Sequence, residues 1–402
     1  MNGQTATLRR RLNLPLLVLY GTGITVGAGI YVLIGAVAGH AGKQAPLAFV
    51  LAAVVMAFTV ASYAELCTRY PVSAGEAAYI RNAFRSRLLS TITGSLTIVI
   101  GVISSAAVAL GSAGYIQQFL DAPQALIAAA VVIVLTAIAC WGILESVLLA
   151  SLFTLIEVGG LVLIISGAAY TGLPLDPAAF TLPLDFALWP GIAFASLLAF
   201  FAFIGFEDLA NVVEEAKAPE RTMPAAMALT LLISTVLYVA IAVIAVSAAP
   251  VERLAASHAP LSLVFREVTG ISSAAISAIA IVATLNTVLA QMTMAARVVY
   301  GMARQGDLPA ALGHVNRVTA TPVVATLCVM AAVLVFAVAV PLVRLAEWTS
   351  LATLLVFALV NCALIKLRWG KPRPLGAHFT VPLWVPVLGL LTSLAMMAGA
   401  IL

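Results

Sequence analysis

The stretch Gly21-Thr22-Gly23-Ile24-Thr25-Val26-Gly27-Ala28-Gly29-Ile30-Tyr31 decides how this chain is read. It sets four glycines within nine residues, inside an apolar run from about Pro15 to Ala38. A second stretch, Phe200-Phe201-Ala202-Phe203-Ile204-Gly205-Phe206-Glu207-Asp208, interrupts another apolar run from about Trp189 to Val213. Backbone unwound in lipid leaves amides and carbonyls bare, and each bare group is expensive there. Such breaks persist where protein, water or a ligand meets those groups. Both stretches are therefore read as helix interruptions that build a ligand site.

The rest of the chain puts these breaks in a membrane. Of its 402 residues, 63% are hydrophobic and 9% charged, where soluble domains carry about 25% charged residues. A spanning helix needs roughly 20 apolar residues. Such runs fall at about 15–38, 47–66, 88–119, 124–141, 146–170, 188–212, 224–248, 272–302, 322–342, 345–366 and 381–402. The predicted class is thus an all-α membrane protein of about 11 spans. The first run is too long for a signal-peptide core and is read as a retained span.

One interrupted run heads the first five spans and the other heads the next five. An odd count inserts the two sets with opposite orientation, the inverted-repeat plan of many secondary transporters. Residues 1–170 are read as the first repeat, 187–368 as the second and 381–402 as an additional helix, all in one transmembrane domain.

Charge orients the chain. With the N-terminus inside, the cytoplasmic flanks hold Arg9, Arg10, Arg11, Arg69, Arg81, Arg85, Arg87, Lys217, Arg221, Arg297, Arg304, Arg317, Lys366, Arg368, Lys371 and Arg373. The other side holds Lys43, Arg253, Arg266 and Arg344. This asymmetry follows the positive-inside rule and predicts a multi-pass cytoplasmic (inner) membrane protein with a cytoplasmic N-terminus. The net charge of +4 then reports topology and contact with anionic lipid, and no nucleic acid is expected. Cys67, Cys140, Cys328 and Cys362 fit no zinc or redox spacing and are read as reduced, buried thiols.

The chemistry of each break follows from helix ends. A half-helix starting near Ile30 aims its N-terminal amides and positive dipole end at Gly27, Ala28 and Gly29, a receptor for a carboxylate. Packing of Gly23 and Gly27 as a small-xxx-small pair is the alternative. The half-helix ending near Phe203, Ile204 and Gly205 offers carbonyls, which suit an ammonium group. Phe200, Phe201, Phe203 and Phe206 also read as lipid-facing or packing aromatics. Glu207 and Asp208 lie about 100° apart on a helix, so one of them lines the pathway or both serve as helix-start charges. Glu157 stands alone in SLFTLIEVGGLVLIISG. A solitary intramembrane carboxylate is a functional residue by default, here the proton-coupling candidate, with a structural hydrogen bond or a pair with a distant arginine as the alternative. Glu65 reads as an interfacial or loop-anchoring group at a helix end, and Arg297 as a snorkelling cation, with a gate ion pair to Glu65 or to an acid of the Glu214–Glu220 link as the alternative. No phosphate loop, metal-ligand spacing or nucleophile motif is seen. An enzyme is therefore not expected, nor is any cofactor or metal.

Together these motifs resemble the amino acid–polyamine–organocation superfamily, and within it bacterial amino acid permeases of the cationic-amino-acid-transporter type. Gly27-Ala28-Gly29-Ile30-Tyr31 is similar to that family's first-helix motif G-[AS]-G-I-F. Phe200 to Pro224 resembles its sixth helix and following loop. Tyr70-Pro71 through Tyr79-Ile80-Arg81 resembles its second cytoplasmic stretch. Ala296 to Arg304, with Gly306 and Leu308-Pro309, resembles the end of its eighth helix. The resemblance implies a leucine-transporter-type 5+5 fold with discontinuous helices 1 and 6, and alternating access. It implies a substrate carboxylate on the backbone of Gly27, Ala28, Gly29 and Ile30, and an ammonium on that of Phe203, Ile204 and Gly205. Some proton-coupled relatives carry a lysine in helix five, and Glu157 falls at that position with reversed charge. Relatives usually have twelve spans.

The function expected is secondary active transport of amino acids, as a proton-coupled symporter or an exchanger. A cationic amino acid or polyamine transporter of the same fold is one alternative. A non-transporting amino acid receptor or scaffold is another. The expected partners are an amino acid, a coupling proton and the bilayer.

Overall fold

The computed structural model describes residues 12–71, 75–141, 147–316, 319, 321–370 and 378–401. The basic residues Arg9, Arg10, Arg11, Arg317, Lys371 and Arg373 lie outside the described residues.

Helix α1 (Leu14–Ala41) begins where Asn13 accepts the Leu16 amide at 3.1 Å, with Pro15 in the first turn. A 3-10 turn, Gly42–Gln44, leads into α2 (Ala45–Arg69). The polar link after Tyr70 carries a further helix, α3 (Gly75–Phe84). Then follow α4 (Arg87–Ile116), α5 (Gln124–Trp141), α6 (Val147–Thr171) and α7 (Trp189–Phe201). After a turn, α7 resumes as a 3-10 helix, Phe206–Glu215, and α8 (Pro219–Ala248) returns across the bundle. The link from Pro250 to Gly270 folds as two short helices, α9 (Val251–Ala256) and α10 (Pro260–Thr269). Helices α11 (Ala274–Arg304), α12 (Val323–Ala339), α13 (Leu342–Trp369) and α14 (Trp384–Ile401) complete the chain.

Among the described residues, eight apolar helical stretches are long enough to cross a membrane. The first, Leu14–Arg69, contains both α1 and α2, and two shorter apolar helices, Val323–Ala339 and Trp384–Gly399, stand beside the eight. Each apolar run of the sequence falls on one of these helices. The chain is an all-α, multi-pass membrane protein.

Lipid is as apolar as a leucine side chain, so helices in it associate through close packing and internal hydrogen bonds. The α4–α11 contact shows how. Gly94 and Gly101, two turns apart on α4, face Met302 and Ala295 of α11 so closely that a Cβ on either would lie 2.9 Å from those side chains. Helix α1 runs through the middle of the bundle against α6, α7, α8 and α11. Peripheral helices turn large apolar side chains outward: Ile133 and Val134 on α5, Leu155 on α6, and Val335 and Val338 on α12. Cys328, also on α12, is exposed, which corrects the expectation of a buried thiol there.

Several polar groups inside the bundle are paired across helices. Asn361 of α13 donates to Thr59 Oγ1 at 3.1 Å and accepts from Ser62 Oγ at 2.7 Å, both on α2. Gly389 of α14 presses against the same amide, so the last helix is seated on the core. Glu65, fully buried on α2, accepts from Arg368 Nε at 3.0 Å and from the Val381 amide at 2.9 Å. It anchors the chain entering α14, as a helix-end anchor should, with Arg368 as its partner; Arg297 is exposed. At the same face, the segment before α1 pairs with the segment after the 3-10 helix. The Leu12 amide donates to the Glu215 carbonyl at 3.0 Å, and the Lys217 amide to the Leu12 carbonyl at 2.9 Å.

Candidate substrate site at the helix breaks

The two interrupted helices break where their glycines fall, and the breaks face each other. In α1, Gly27 leaves helical geometry (φ −11°, ψ −136°). In α7, the ladder tightens after Phe201: the amides of Ala202, Phe203 and Ile204 donate to the carbonyls of Ala199, Phe200 and Phe201 at 3.0, 3.0 and 3.2 Å. Gly205 then turns to φ 121°, which L side chains rarely adopt, and the 3-10 helix follows. A 3-10 run of ten residues is long for that geometry, and such runs often mark hinges. The turn bonds to carbonyls before Ala202 and to that of Gly205, so the carbonyls of Phe203 and Ile204 stand outside its ladder among the described residues.

Close approach fixes the register between the breaks. A Cβ on Gly29 would lie 2.4 Å from Ala202 Cα, and one on Gly205 would lie 2.9 Å from the Ile24 carbonyl oxygen. Tyr238 of α8 reaches into the junction. Its hydroxyl lies 2.7 Å from the carbonyl oxygens of both Thr25 and Ala202, the ends of the two first half-helices. Its ring stands edge-on to Phe203, with centroids 4.9 Å apart. On the other side, the Ala28 amide donates to Thr287 Oγ1 of α11 at 3.2 Å. Protein side chains thus meet some of the groups the breaks release, as a low-dielectric interior demands.

The phenylalanines around the second break all point inward. Phe200, Phe203 and Phe206 are buried to within 1% and Phe201 to 6%, so they pack the core and do not face lipid. Phe206 and Phe200 both stack on Phe357, with centroids 5.5 and 5.8 Å apart. Phe206 also stacks on Tyr63 at 5.3 Å.

Glu207 folds back on the break. Its Oε2 accepts the Gly205 amide at 2.9 Å, which makes it the acidic group that closes the start of the 3-10 helix. Asp208 accepts from Asn211 at 3.3 Å and is partly exposed.

Glu157 lies on α6 with no exposed surface. Its Oε1 accepts from Asn286 Nδ2 of α11 at 3.2 Å, and its Oε2 has no partner among the described residues. Tyr31, just past the first break, donates its hydroxyl to the Glu157 backbone carbonyl at 2.5 Å. The Tyr31 carbonyl in turn accepts the Tyr115 hydroxyl at 2.6 Å, and that hydroxyl accepts the Leu261 amide at 3.3 Å. Because Asn286 and Thr287 are neighbours, one turn of α11 holds both the Glu157 carboxyl and the Ala28 amide. The carboxyl is therefore wired to the first break through two helices.

The chain is similar in sequence to known transporters. The family described as Amino acid permease matches residues 13–402. The chain belongs to that family. The branched-chain amino acid permease BcaP of Bacillus subtilis (strain 168) is 32% identical over 388 residues, covering 91% of this chain and 82% of that protein. The vacuolar cationic amino acid transporter 2 of Arabidopsis thaliana is 29% identical, covering 91% of this chain and 62% of that longer protein. The methylthioribose transporter of Bacillus subtilis (strain 168) is 28% identical over 412 residues, covering 97% of this chain and 87% of that protein. The relatives of this chain thus include proteins named for branched-chain amino acids, cationic amino acids and methylthioribose.

Sequence reasoning passed over Tyr31, Tyr115, Tyr238, Asn286 and Thr287. A signal existed for each: a hydroxyl or amide inside an apolar run must find a partner. What sequence could not give was the partner, which lies 126 residues away for Tyr31 and 213 for Tyr238.

Proposed function

We propose that the chain is a secondary transporter that carries amino acids across the cytoplasmic membrane by alternating access. The observation that supports it best is the apposition of the two breaks at Gly29–Ala202 and Ile24–Gly205. The half-helix beginning after Gly27 brings amides and a positive dipole end to the junction, and the half-helix ending before Gly205 brings carbonyls. A zwitterion lying between them sets its carboxylate on the backbone of Gly27, Ala28, Gly29 and Ile30. Its ammonium meets Phe203, Ile204 and Gly205. The Ala28 amide then exchanges Thr287 for the substrate. In this reading residues 1–170 and 187–368 are inverted repeats that rock about the site, and the N-terminus is cytoplasmic.

Glu157 serves as the proton-coupling group. Its free Oε2 and its connection to the first break through Asn286, Thr287 and Tyr31 support that role. Net uptake is then driven by protons, while exchange of one amino acid for another leaves Glu157 unchanged.

A second reading takes a cationic amino acid or a polyamine. It is favoured by Asp208, which is partly exposed and bonded only to Asn211 among the described residues. The buried aromatic wall of Phe200, Phe203 and Phe206 argues for a neutral, apolar side chain instead.

Reconstituted into sealed vesicles preloaded with unlabelled amino acids, the protein is expected to accumulate the labelled substrate by counterflow. Binding without counterflow would make it a receptor. Competition by leucine, arginine, putrescine and methylthioribose separates the substrate classes.

A further inference from the structure

A cleft of about 230 Å³ opens between the start of α4 and the end of α11, lined by Arg81, Arg87, Ser90, Gln305 and Asp307. The local chain builds it. Helix α3 ends at Phe84, and Arg85 takes a left-handed conformation (φ 50°) while donating its amide to the Arg81 carbonyl at 2.9 Å. Ser86 then caps α4 by accepting the Leu89 amide at 3.3 Å. This tight corner brings Arg81 and Arg87 to one cleft.

The two arginines differ in their freedom. Arg87 is held in place, donating through Nε to Asp307 at 2.8 Å and through a terminal nitrogen to the Gln305 carbonyl at 3.2 Å. Arg81 is exposed and enters no ion pair among the described residues. Two guanidinium groups against one carboxylate leave a positive charge in excess. The positive end of α4, a helix of 30 residues, adds to it. Arginine suits phosphate because its planar fork can give two parallel hydrogen bonds.

Exposed apolar side chains begin beside this cleft. Leu88, next to Arg87, is 69% exposed, and Ile92 and Val99 are 42% and 43% exposed. At spacings of four and seven residues they form one apolar stripe running down α4 from the cleft. A ligand that satisfies both features has a phosphate at one end and hydrocarbon at the other.

We propose that this cleft binds the headgroup phosphate of an anionic phospholipid between Arg81 and Arg87, with its acyl chains along Leu88, Ile92 and Val99. Basic pockets between membrane helices are suited to anionic headgroups. A zwitterionic lipid fits less well, since its own cation would meet the excess positive charge. The site is separate from the helix breaks, so it stands whether or not the proposed transport reading does.

The test is native mass spectrometry of the purified protein, titrated with phosphatidylglycerol or with phosphatidylcholine. The wild type is expected to retain phosphatidylglycerol preferentially. Arg81→Gln should lower that retention about fivefold, the equivalent of roughly 1 kcal/mol for one cationic residue near a lipid surface. Asp307→Asn, which removes the competing carboxylate, should raise it. Arg253→Gln, at a site outside this cleft, should leave it unchanged. A parallel arm measures thermal protection by inorganic phosphate and glycerol phosphate in detergent. If these soluble anions protect as well as phosphatidylglycerol, the occupant is a soluble anion and the lipid assignment is wrong. Equal retention of phosphatidylglycerol by wild type and Arg81→Gln overturns the site itself.

Discussion

Replacing Gly205 with alanine strikes the junction of the two broken helices. At φ 121° an L residue is strained by about 1–3 kcal/mol. The new Cβ would also stand 2.7 Å from Ile24 Cγ2 and 2.9 Å from the Ile24 carbonyl oxygen. The carbonyl belongs to α1 backbone and cannot swing aside as a side-chain tip can, so overpacking adds about 1–3 kcal/mol. The combined penalty is about 2–6 kcal/mol, and it falls on the state in which the breaks meet. The chain can relieve it by parting α1 from the turn after α7, which keeps the fold and spoils the site. At roughly 1.4 kcal/mol per decade, the lower bound alone reduces substrate affinity about thirtyfold. The assay pairs counterflow in vesicles with thermal unfolding in detergent. Gly301→Ala is the control, because it lies in α11 with nothing within 4 Å of its added Cβ; it should be neutral or stabilise by up to about 1 kcal/mol. Wild-type counterflow and an unchanged Tm in Gly205→Ala would refute the apposition of the breaks.

Other perturbations probe the surrounding groups. Tyr238→Phe removes the hydroxyl shared by the Thr25 and Ala202 carbonyls. It should lower stability by about 0.6–1.7 kcal/mol, the range for hydrogen bonds between membrane helices, and weaken substrate binding; an unchanged Tm and affinity would show that the hydroxyl ties nothing together. Glu157→Gln should abolish the pH dependence of net uptake while amino acid exchange continues, and full pH-dependent uptake by this variant would remove Glu157 from coupling. Outside the spans, Lys43 donates to Asp176, and the Ala178 amide donates to the same carboxyl. These bonds hold Asp176 below the ordinary aspartate range. The stabilisation is complete above the ordinary aspartate pKa and is lost as pH falls through the lowered one. Lys43→Ala should therefore show a smaller fall in Tm on acidification than wild type, and superimposable acid profiles would contradict the pairing.

Span positions were legible because lipid imposes a simple requirement: about 20 apolar residues with internal backbone bonding. That requirement also exposed the breaks, since Gly27 and Gly205 stand where an uninterrupted helix would avoid glycine. No apolar run marks α3, yet the segment between Gly75 and Phe84 is helical where it rests on α4 and α13. Tertiary packing overrides weak local preference in such a segment. The partner of Glu65 was equally hidden. Arg368 lies 303 residues away, and nothing local to either residue announces the pair. Glu207 and Asp208 show the limit most clearly: two adjacent acids look alike in sequence, and only the reversal at Gly205 directs one of them onto the backbone of the turn. The identity of the breaks was written locally, while the groups that answer them were written elsewhere in the chain.

The most direct measurement compares ligands that keep or lose one of the two charges. The best-bound of the common amino acids is first found by thermal shift in detergent, since a ligand that binds the folded state raises its apparent stability. Its affinity is then set against those of its C-terminal amide and its N-acetyl derivative. Donors at one break and acceptors at the other predict that both derivatives lose most of the binding. Retention of full affinity by either derivative would contradict two-ended capture of a zwitterion.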